Sequence, residues 1–285
     1  MGNLKELRSR IKTVKSTQKI TAAMKMVAAS KFRRFQHQLV HVRHGARVYE
    51  KMLNHLMAQP FDTPLPYTTA GTGPLHVLVV VGGDRGLCGA YNTNIVREAR
   101  LCAQNLTEQG LTFRLLTVGK KMYEGLKTTT SPENLLLIEE ETPFDYAKTL
   151  ADMLISWHKQ GHISTIRVVS PRFRNVLMQQ VKITQLLPFE AEPYYTQDCP
   201  PHIITEPVGV DFVRNIFEKN LEASLYRLIF EALTCEYAAR MTAMDSATQN
   251  ANDMIGKLQL VYNQTRQAQI TSELIEIISG AQAMM

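Results

Sequence analysis

The sequence predicts an α/β protein. Two long terminal helices are expected to form an antiparallel coiled coil around a central, Rossmann-like α/β domain with a largely parallel sheet. All twelve prolines lie between Pro60 and Pro207, so both ends of the 285-residue chain are free of proline. Proline breaks helix interiors, so its absence permits long helices at both ends. Short β-branched runs alternate with helical segments between these ends, which is typical of βαβ units.

The N-terminal segment, 1–59, is predicted to be one coiled-coil helix. Taking every seventh residue from Leu4 and again from Leu7 gives sixteen positions, of which thirteen are apolar when alanine and tyrosine are counted. Such a repeat over about eight heptads indicates a helix–helix seam. The three exceptions form one polar patch, which could face a different partner: Gln18, Thr21 and Lys25.

The C-terminal segment, 209–285, is predicted to be the second coiled-coil helix. Its seam runs from leucines such as Leu221 to small residues, and its last turns are apolar around Ile270 and Ile277. At 1.5 Å per residue, helices of about 55 and 75 residues measure roughly 80 and 110 Å. An antiparallel pair therefore predicts an apolar tip that protrudes by about 30 Å. Such a tip requires an apolar sleeve from other subunits.

The middle of the chain divides into a linker at 60–74, an α/β domain at 75–187 and a proline-rich linker at 188–208. Short β-branched or apolar runs predict strands at 76–83, 112–118, 134–140 and 165–170. Helices are predicted at 93–109 and 145–160, and the segment 176–189 is predicted to be an edge strand or a hairpin.

Positive charge is concentrated at the N-terminus. Residues 1–34 hold ten Lys or Arg against Glu6 alone, a net +9, whereas the whole chain is +6. This segment predicts an acidic partner, which could be a nucleic acid, an anionic lipid or a protein surface. The four cysteines are widely spaced and predict no disulfide framework, and a reducing compartment is expected. No apolar run is long enough to predict a membrane span.

A glycine-rich turn, GGDRGLCG at 82–89, follows a predicted strand and precedes a predicted helix. A turn of this kind can cradle a phosphate at the helix N-terminus. Its spacing differs from that of the dinucleotide-binding motif, and no G-K-[ST] follows. We interpret Gly83, Gly86 and Gly89 as a structural turn. The alternative is an α/β nucleotide-binding enzyme with helical extensions.

Two other patterns point to binding chemistry. His37, His41 and His44 share one helix face and could bind zinc, but with no neighbouring cysteine or carboxylate we interpret them as a solvated face. The basic N-terminal helix could also belong to a coiled-coil nucleic-acid binder, although its charges are interleaved with the seam rather than placed before it. We predict no catalytic residue, cofactor or metal.

Four stretches carry a family resemblance. They are TQKITAAMKMVAASKFRR (17–34), DRGLCGAYN (84–92), YAARMTAMDSATQNA (237–251) and YNQTRQAQITSELIEIISGA (262–281). In this order they resemble the gamma subunits of F-type, rotary proton-translocating ATP synthases. Position 90 is alanine where the family commonly has glycine, which matters only if that residue needs a positive φ.

The resemblance implies a noncatalytic central-stalk rotor, present in one copy, that transmits torque between proton flow through a membrane c-ring and a catalytic hexamer of alpha and beta subunits. An epsilon subunit would lie beside it. The location implied is peripheral, on the cytoplasmic face of the bacterial inner membrane. The positions expected to contact the hexamer are Met24, Lys25, Arg33, Arg34, Arg240, Arg266, Gln267, Thr271, Glu273 and Ile277.

Overall fold

The computed structural model describes residues 2–57, 67–176, 178–190 and 210–282. Five α-helices and five β-strands follow one another along these residues, with a short 3₁₀ turn at Pro132–Asn134. In chain order they are α1 (Gly2–Met57), β1 (Leu75–Val81), α2 (Tyr91–Glu108), β2 (Thr112–Val118), α3 (Lys120–Leu126), β3 (Leu135–Ile138), α4 (Pro143–Lys159), β4 (Ile163–Phe173), β5 (Gln179–Leu187) and α5 (Val210–Gln282).

The chain divides into two compact units, and both terminal helices contribute to each of them. Residues 1–28 and 241–285 form one unit, which we call the helical-pair unit. Residues 29–240 form the other, which we call the sheet unit.

The described strands of the sheet unit form one sheet in the order β3-β2-β1-β4-β5. β1 is central and pairs in parallel with β2 and β4, and β2 pairs in parallel with β3. β5 pairs antiparallel with β4 at the edge. The prediction of a Rossmann-like, largely parallel sheet is confirmed, and the segment at 176–189 supplies the edge strand.

The core of the sheet unit lies on both faces of this sheet. Val77, Val79 and Val81 of β1 point into a cluster with α4 and α5, whereas Leu78 and Val80 point into one with α2 and α3. Side chains alternate between the two faces of a strand, so a strand covered on both faces reads as a continuous apolar run. This is why the β-branched run of β1 was visible in the sequence.

Aromatic side chains join α1 to α5 within the sheet unit. The ring centroid of Phe35 lies 5.5 Å from that of Phe230 and 5.3 Å from that of Tyr237. Phe32 lies 5.7 Å from Phe173 at the end of β4. Aromatic pairs at these distances add to the stabilisation that burial alone provides. The heptad positions at Phe32 and Phe35 therefore serve as seam residues.

In the helical-pair unit the two helices run antiparallel. Arg8 Nη2 donates to Tyr262 Oη at 2.9 Å, and Lys25 Nζ to Asp245 Oδ1 at 2.6 Å. Moving 17 residues forward on α1, from 8 to 25, thus corresponds to moving 17 residues back on α5, from 262 to 245. This register confirms the predicted antiparallel pairing.

The polar patch of the N-terminal seam faces α5. Gln18 Nε2 donates to Asn252 Oδ1 at 3.1 Å, and Thr248 Oγ1 donates to Thr21 Oγ1 at 2.9 Å. The suggestion that this patch faces a different partner overlooked its pairing with α5. It considered only one helix, whereas α5 presents its own polar side chains at the matching level, so that each polar group is paired.

The C-terminal end of α5 continues past the start of α1. Continuing the register from Arg8 and Tyr262 places Gly2 opposite residue 268, so about 14 residues of α5 extend beyond it, roughly 21 Å. This is shorter than the expected 30 Å, in part because α5 is described only to Gln282. All side chains from 270 to 282 are exposed.

The sequence missed α3, which begins directly after β2, and underestimated β4, which extends to Phe173. Part of the segment expected as the first linker packs on the sheet unit: Tyr67 is buried and Gly71 N donates to Ser164 O at 3.0 Å. Residues 58–66 and most of the proline-rich segment, 191–209, lie outside the described residues.

Candidate partner-binding surface

The ten residues expected to contact partners lie on α1 and α5, and their exposure differs. Met24 and Lys25 are half-buried in the helical-pair unit. The ammonium of Lys25 pairs with Asp245 at 2.6 Å, and the two side chains are 42% and 41% exposed. This pair retains enough solvent contact for Lys25 to meet an acidic partner.

Arg33 and Arg34 are exposed on α1 within the sheet unit. They sit between the seam residues Phe32 and Phe35, which face α5, so the helical period turns both guanidinium groups outward. Among the described residues neither arginine forms an ion pair with a carboxylate. Both charges are therefore available to another molecule.

The expected contact residues near the end of α5 are all exposed. Arg266, Glu273 and Ile277 are spaced by seven and four residues, which places them within about 40° of one another on the helix. Gln267 and Thr271 lie farther round, and the Thr271 hydroxyl donates to Gln267 O at 2.9 Å. Ile277 is 68% exposed. This end of the helix presents polar and apolar groups together.

The large apolar side chains on the last turns are also solvent-exposed. They are Ile270, Leu274, Ile275, Ile277 and Ile278, each between 48% and 68% exposed. A soluble chain rarely leaves such a contiguous apolar surface uncovered unless it serves as an interaction site.

Arg240, by contrast, is only 9% exposed and engages groups of its own chain. Its guanidinium donates to Glu236 Oε1 at 2.5 Å and to the carbonyl of Gly86 at 3.3 Å. Burial raises the pKa of Glu236, and the hydrogen bond from Arg240 opposes that rise. Within the sheet unit Arg240 therefore connects α5 to the glycine-rich turn.

The glycine-rich turn is held by contacts within the sheet unit. Gly83 N donates to Asn92 Oδ1 at 3.2 Å, and the Asn92 amide donates to Arg85 O at 3.1 Å. A Cβ on Gly83 would lie 3.0 Å from the carboxyl carbon of Glu236. A carboxylate so close to the turn repels phosphate, so the geometry favours a structural turn over a nucleotide cradle.

Backbone conformation agrees with this reading. Gly89 has φ 60°, which glycine adopts without strain. A Cβ added at Gly86 would have no other atom within 4 Å, so that position does not require glycine for lack of space. Ala90, where the resembling family commonly has glycine, has φ −81°, so its methyl group causes no strain. Leu87 carries a positive φ of 62° in the same turn, a feature the sequence did not reveal.

His37, His41 and His44 are all exposed on α1. Across the described ranges, no three His, Cys, Asp or Glu side chains come together in a way that could hold a metal ion. Over the same ranges, none of the helices combines the length and the apolar character needed to cross a membrane.

Sequence reasoning missed the ion pair between Arg43 and Glu231. Glu231 is 1% exposed and also accepts from the backbone N–H of Phe173 at 2.9 Å. Its partners lie 188 and 58 residues away along the chain. No local motif signals a pair that forms only when α1, β4 and α5 pack together.

These observations define a class of protein that has long paired helices and a Rossmann-like sheet. The expected contacts lie on exposed helix surfaces rather than in a pocket. A family model described as ATP synthase matches residues 3–284. The ATP synthase gamma chain of Granulibacter bethesdensis is 42% identical over 298 residues, and that of Rhodospirillum rubrum is 39% identical over 302 residues. Both alignments cover 100% of each chain.

The chain belongs to the ATP synthase gamma chain family. This membership confirms the predicted role as a noncatalytic central-stalk subunit of an ATP synthase.

Solved structures show the same fold. A chain in the central stalk and c-ring structure of Tetrahymena thermophila mitochondrial ATP synthase is 27% identical, with TM-score 0.60, covering 80% of this chain and 99% of that chain. A chain of the Euglena gracilis mitochondrial ATP synthase in rotational state 3 has TM-score 0.67 at 19% identity, covering 99% and 95%. At that identity the Euglena likeness concerns the fold alone.

Proposed function

We propose that this chain is the shaft that turns inside a hexamer of alpha and beta subunits and carries torque between that hexamer and a membrane c-ring. The observation that carries the proposal is the exposed apolar end of α5, from Ile270 to Ile278. This surface requires a cover, and an apolar sleeve at the centre of a hexamer provides one.

The contact surface follows from exposure and charge. Lys25, Arg33 and Arg34 present positive charge to acidic loops of the hexamer, and the end of α5 contributes polar contacts to its rim. The proposed contact set at that end is Arg266, Gln267, Thr271, Glu273 and Ile277. Arg240 holds the glycine-rich turn within the sheet unit, and only its small exposed fraction is left for a partner.

Torque transmission requires that the shaft contact the three catalytic sites unequally. A single chain whose C-terminal helix extends past its partner has no three-fold symmetry, so each orientation favours a different conformation at each site. Because a ligand shifts an equilibrium only through differential contact, rotation of this surface changes nucleotide affinity at the sites in turn.

The remaining assignments belong to the same proposal. One copy of the chain sits beside an epsilon subunit, on the cytoplasmic face of a bacterial inner membrane, as a peripheral component. The glycine-rich turn holds no catalytic nucleotide, because Glu236 lies against it, and α1 binds no nucleic acid, because its charges are interleaved with the seam.

A truncation tests the proposal. Deleting residues 276–285 removes side chains of α5 that, from 276 to 282, are all exposed. We measure the concentration of the chain at which ATP turnover by an alpha–beta hexamer is restored to half its maximum. We expect this concentration to rise by about tenfold or more for the truncated chain, because less apolar area is buried in the sleeve. The thermal midpoint of the sheet unit, followed by the fluorescence of Trp157, should stay within about 1 °C.

Two substitutions refine this test. Leu274→Ser with Ile277→Ser should reproduce the effect of the truncation, whereas Gln264→Ser, at an exposed polar position of the same helix, should leave turnover unchanged. Undiminished turnover with the truncated chain would contradict the proposal. Hydrolysis of ATP by the isolated chain would instead favour the enzyme alternative, and retention on DNA at moderate salt would favour the nucleic-acid alternative.

A further inference from the structure

A basic cleft lies within the sheet unit, and it shares no lining residue with the glycine-rich turn or with the proposed hexamer contacts. It is formed by α1, β4, β5 and α5 and has a volume of about 700 Å³, within the range of sites that bind small molecules. Six basic side chains line it: Arg43, Arg47, Lys51, Arg172, Lys182 and Arg227.

The cleft holds more positive than negative charge. Its carboxylates are Glu50 and Glu231. Glu231 is already satisfied, because it accepts hydrogen bonds from Arg43 and from the backbone N–H of Phe173. Among the described residues, none of the other five basic side chains of the cleft forms an ion pair. Glu50 is thus left to balance five cations.

Arg227 gives the cleft a partly buried cation. Burial lowers the pKa of its guanidinium, the carboxylates Glu231 and Glu50 oppose that effect, and the neighbouring Arg172 and Arg43 add to it. A guanidinium withdrawn from water beside like charges is unfavourable unless an anion shares the site. The crowding of these arginines therefore favours the binding of a further anion.

The chemistry of the lining indicates which anion fits. Arginine presents planar pairs of N–H donors that match the oxygens of a phosphate, and lysine adds a mobile point charge. The side chains of Ser170 and Thr184 add hydroxyl groups to the lining. Because the positive charge is spread around a concave volume, a compact anion with several charges can reach more of these donors than a single carboxylate.

We propose that the basic cleft binds a phosphate anion carrying several negative charges, either an inorganic polyphosphate or the phosphate chain of a nucleotide. The site is distinct from the shaft function and does not depend on it. Binding of an inorganic polyphosphate requires only the cationic lining. Binding of a nucleotide also requires contact between its base and the apolar wall at Pro171, Phe173 and Leu228.

Isothermal titration calorimetry of the full chain at low ionic strength tests this proposal, with tripolyphosphate as the first probe and ATP without magnesium as the second. The test variant is Arg172→Gln with Lys182→Gln, since both side chains are exposed and their replacement leaves the core intact. We expect this variant to bind tripolyphosphate at least tenfold more weakly, roughly, because two charge-assisted contacts are lost.

The matched control, Lys127→Gln with Lys148→Gln, removes the same charge from exposed positions that do not line the cleft. It should bind tripolyphosphate within about twofold of the unsubstituted chain. ATP binding no tighter than tripolyphosphate would assign the site to inorganic anions, and tighter ATP binding would assign it to nucleotides.

Three outcomes would overturn the proposal. The first is no heat of binding for either probe with the unsubstituted chain, and the second is equal weakening in the test and control variants, which would indicate diffuse attraction. The third is full affinity in the test variant. Circular dichroism of each variant confirms that folding is preserved, so that a loss of binding can be read as a loss of the site.

Discussion

At the scale of residues, the buried ion pair of Arg240 and Glu236 is expected to contribute strongly to the stability of the sheet unit. Their side chains are 11% and 10% exposed, so each charge depends on the other for its compensation. Removing one partner of a buried pair leaves an uncompensated charge, whereas replacing both can be close to neutral.

Arg240→Met should therefore lower the free energy of unfolding of the sheet unit by about 3 kcal/mol. Urea denaturation followed by Trp157 fluorescence measures the change. The double variant Arg240→Met with Glu236→Gln should recover most of the loss, since no buried charge remains. A single variant that loses less than about 1 kcal/mol would show that solvent reaches Glu236 freely.

The pH dependence of the same variant follows from the sign of the shift. Burial raises the pKa of Glu236, so protonation favours the folded state, and this contribution is present at low pH and lost as pH rises through the folded pKa. In Arg240→Met the opposing hydrogen bond is gone, so the pKa rises further. We expect the free energy of unfolding of this variant to fall more steeply than that of the unsubstituted chain from about pH 4, the ordinary range of a carboxyl group, towards neutral pH.

Urea titrations across that pH range measure the slopes. The double variant, which lacks the carboxyl group, should show no extra slope. If the free energy of unfolding changed with pH by the same slope in the single variant and in the unsubstituted chain, Glu236 would not titrate in this pH range.

Single residues also show which side-chain environments can be predicted from the sequence and which cannot. The heptad positions of Phe32 and Phe35 place the exposed Arg33 and Arg34 outside the seam. The internal role of Arg240 was not visible, because its acceptors at Arg85 and Gly86 lie about 155 residues earlier in the chain. Side chains whose neighbours are set by the helical period can be predicted, and those whose neighbours are set by tertiary packing cannot.

At the scale of elements, the glycine-rich turn is predicted to be structural, and its contacts with Asn92 and Glu236 favour that prediction. Its glycines are not equivalent. A Cβ at Gly83 would lie 3.0 Å from both Asn92 Oδ1 and the Glu236 carboxyl carbon, whereas a Cβ at Gly86 meets nothing within 4 Å.

Gly83→Ala should therefore destabilise the sheet unit by about 1–3 kcal/mol through overpacking, and Gly86→Ala should change its stability by no more than about 1 kcal/mol. Thermal melting followed by Trp157 fluorescence compares the two variants. Equal effects at the two positions would contradict the described packing of the turn against α5.

The elements were predictable to different degrees for physical reasons. β1 is covered on both faces and reads as an unbroken apolar run, so it was found. α3 is only seven residues long and too short to show a helical period, so it was missed. The polar patch of α1 was found but its pairing with α5 was not, because the pairing of Thr21 with Thr248 requires the register of two helices that lie far apart in sequence.

At the scale of the whole molecule, the uneven charge governs association. The chain carries +6 overall, and its first 34 residues carry +9. Charge concentrated in this way accelerates encounter with an acidic partner and is screened by salt.

Arg33→Gln with Arg34→Gln should weaken association with an alpha–beta hexamer by about fivefold to tenfold at low ionic strength and by less at high ionic strength. Surface plasmon resonance across a salt series measures the change, which should fall mainly on the association rate. Lys127→Gln with Lys148→Gln, which removes equal charge elsewhere, should leave the rate nearly unchanged. A salt-independent loss would point to a packing contact rather than to steering.

The exposed apolar end of α5 has a consequence for how this chain is made. A cell that produces the chain faster than its companions leaves Leu274 and Ile277 open to any other apolar surface, including a second newly made copy. Balanced synthesis, or a chaperone that holds the finished C-terminus until the companions arrive, removes that hazard. The sequence that makes assembly favourable thus also makes surplus chains a burden.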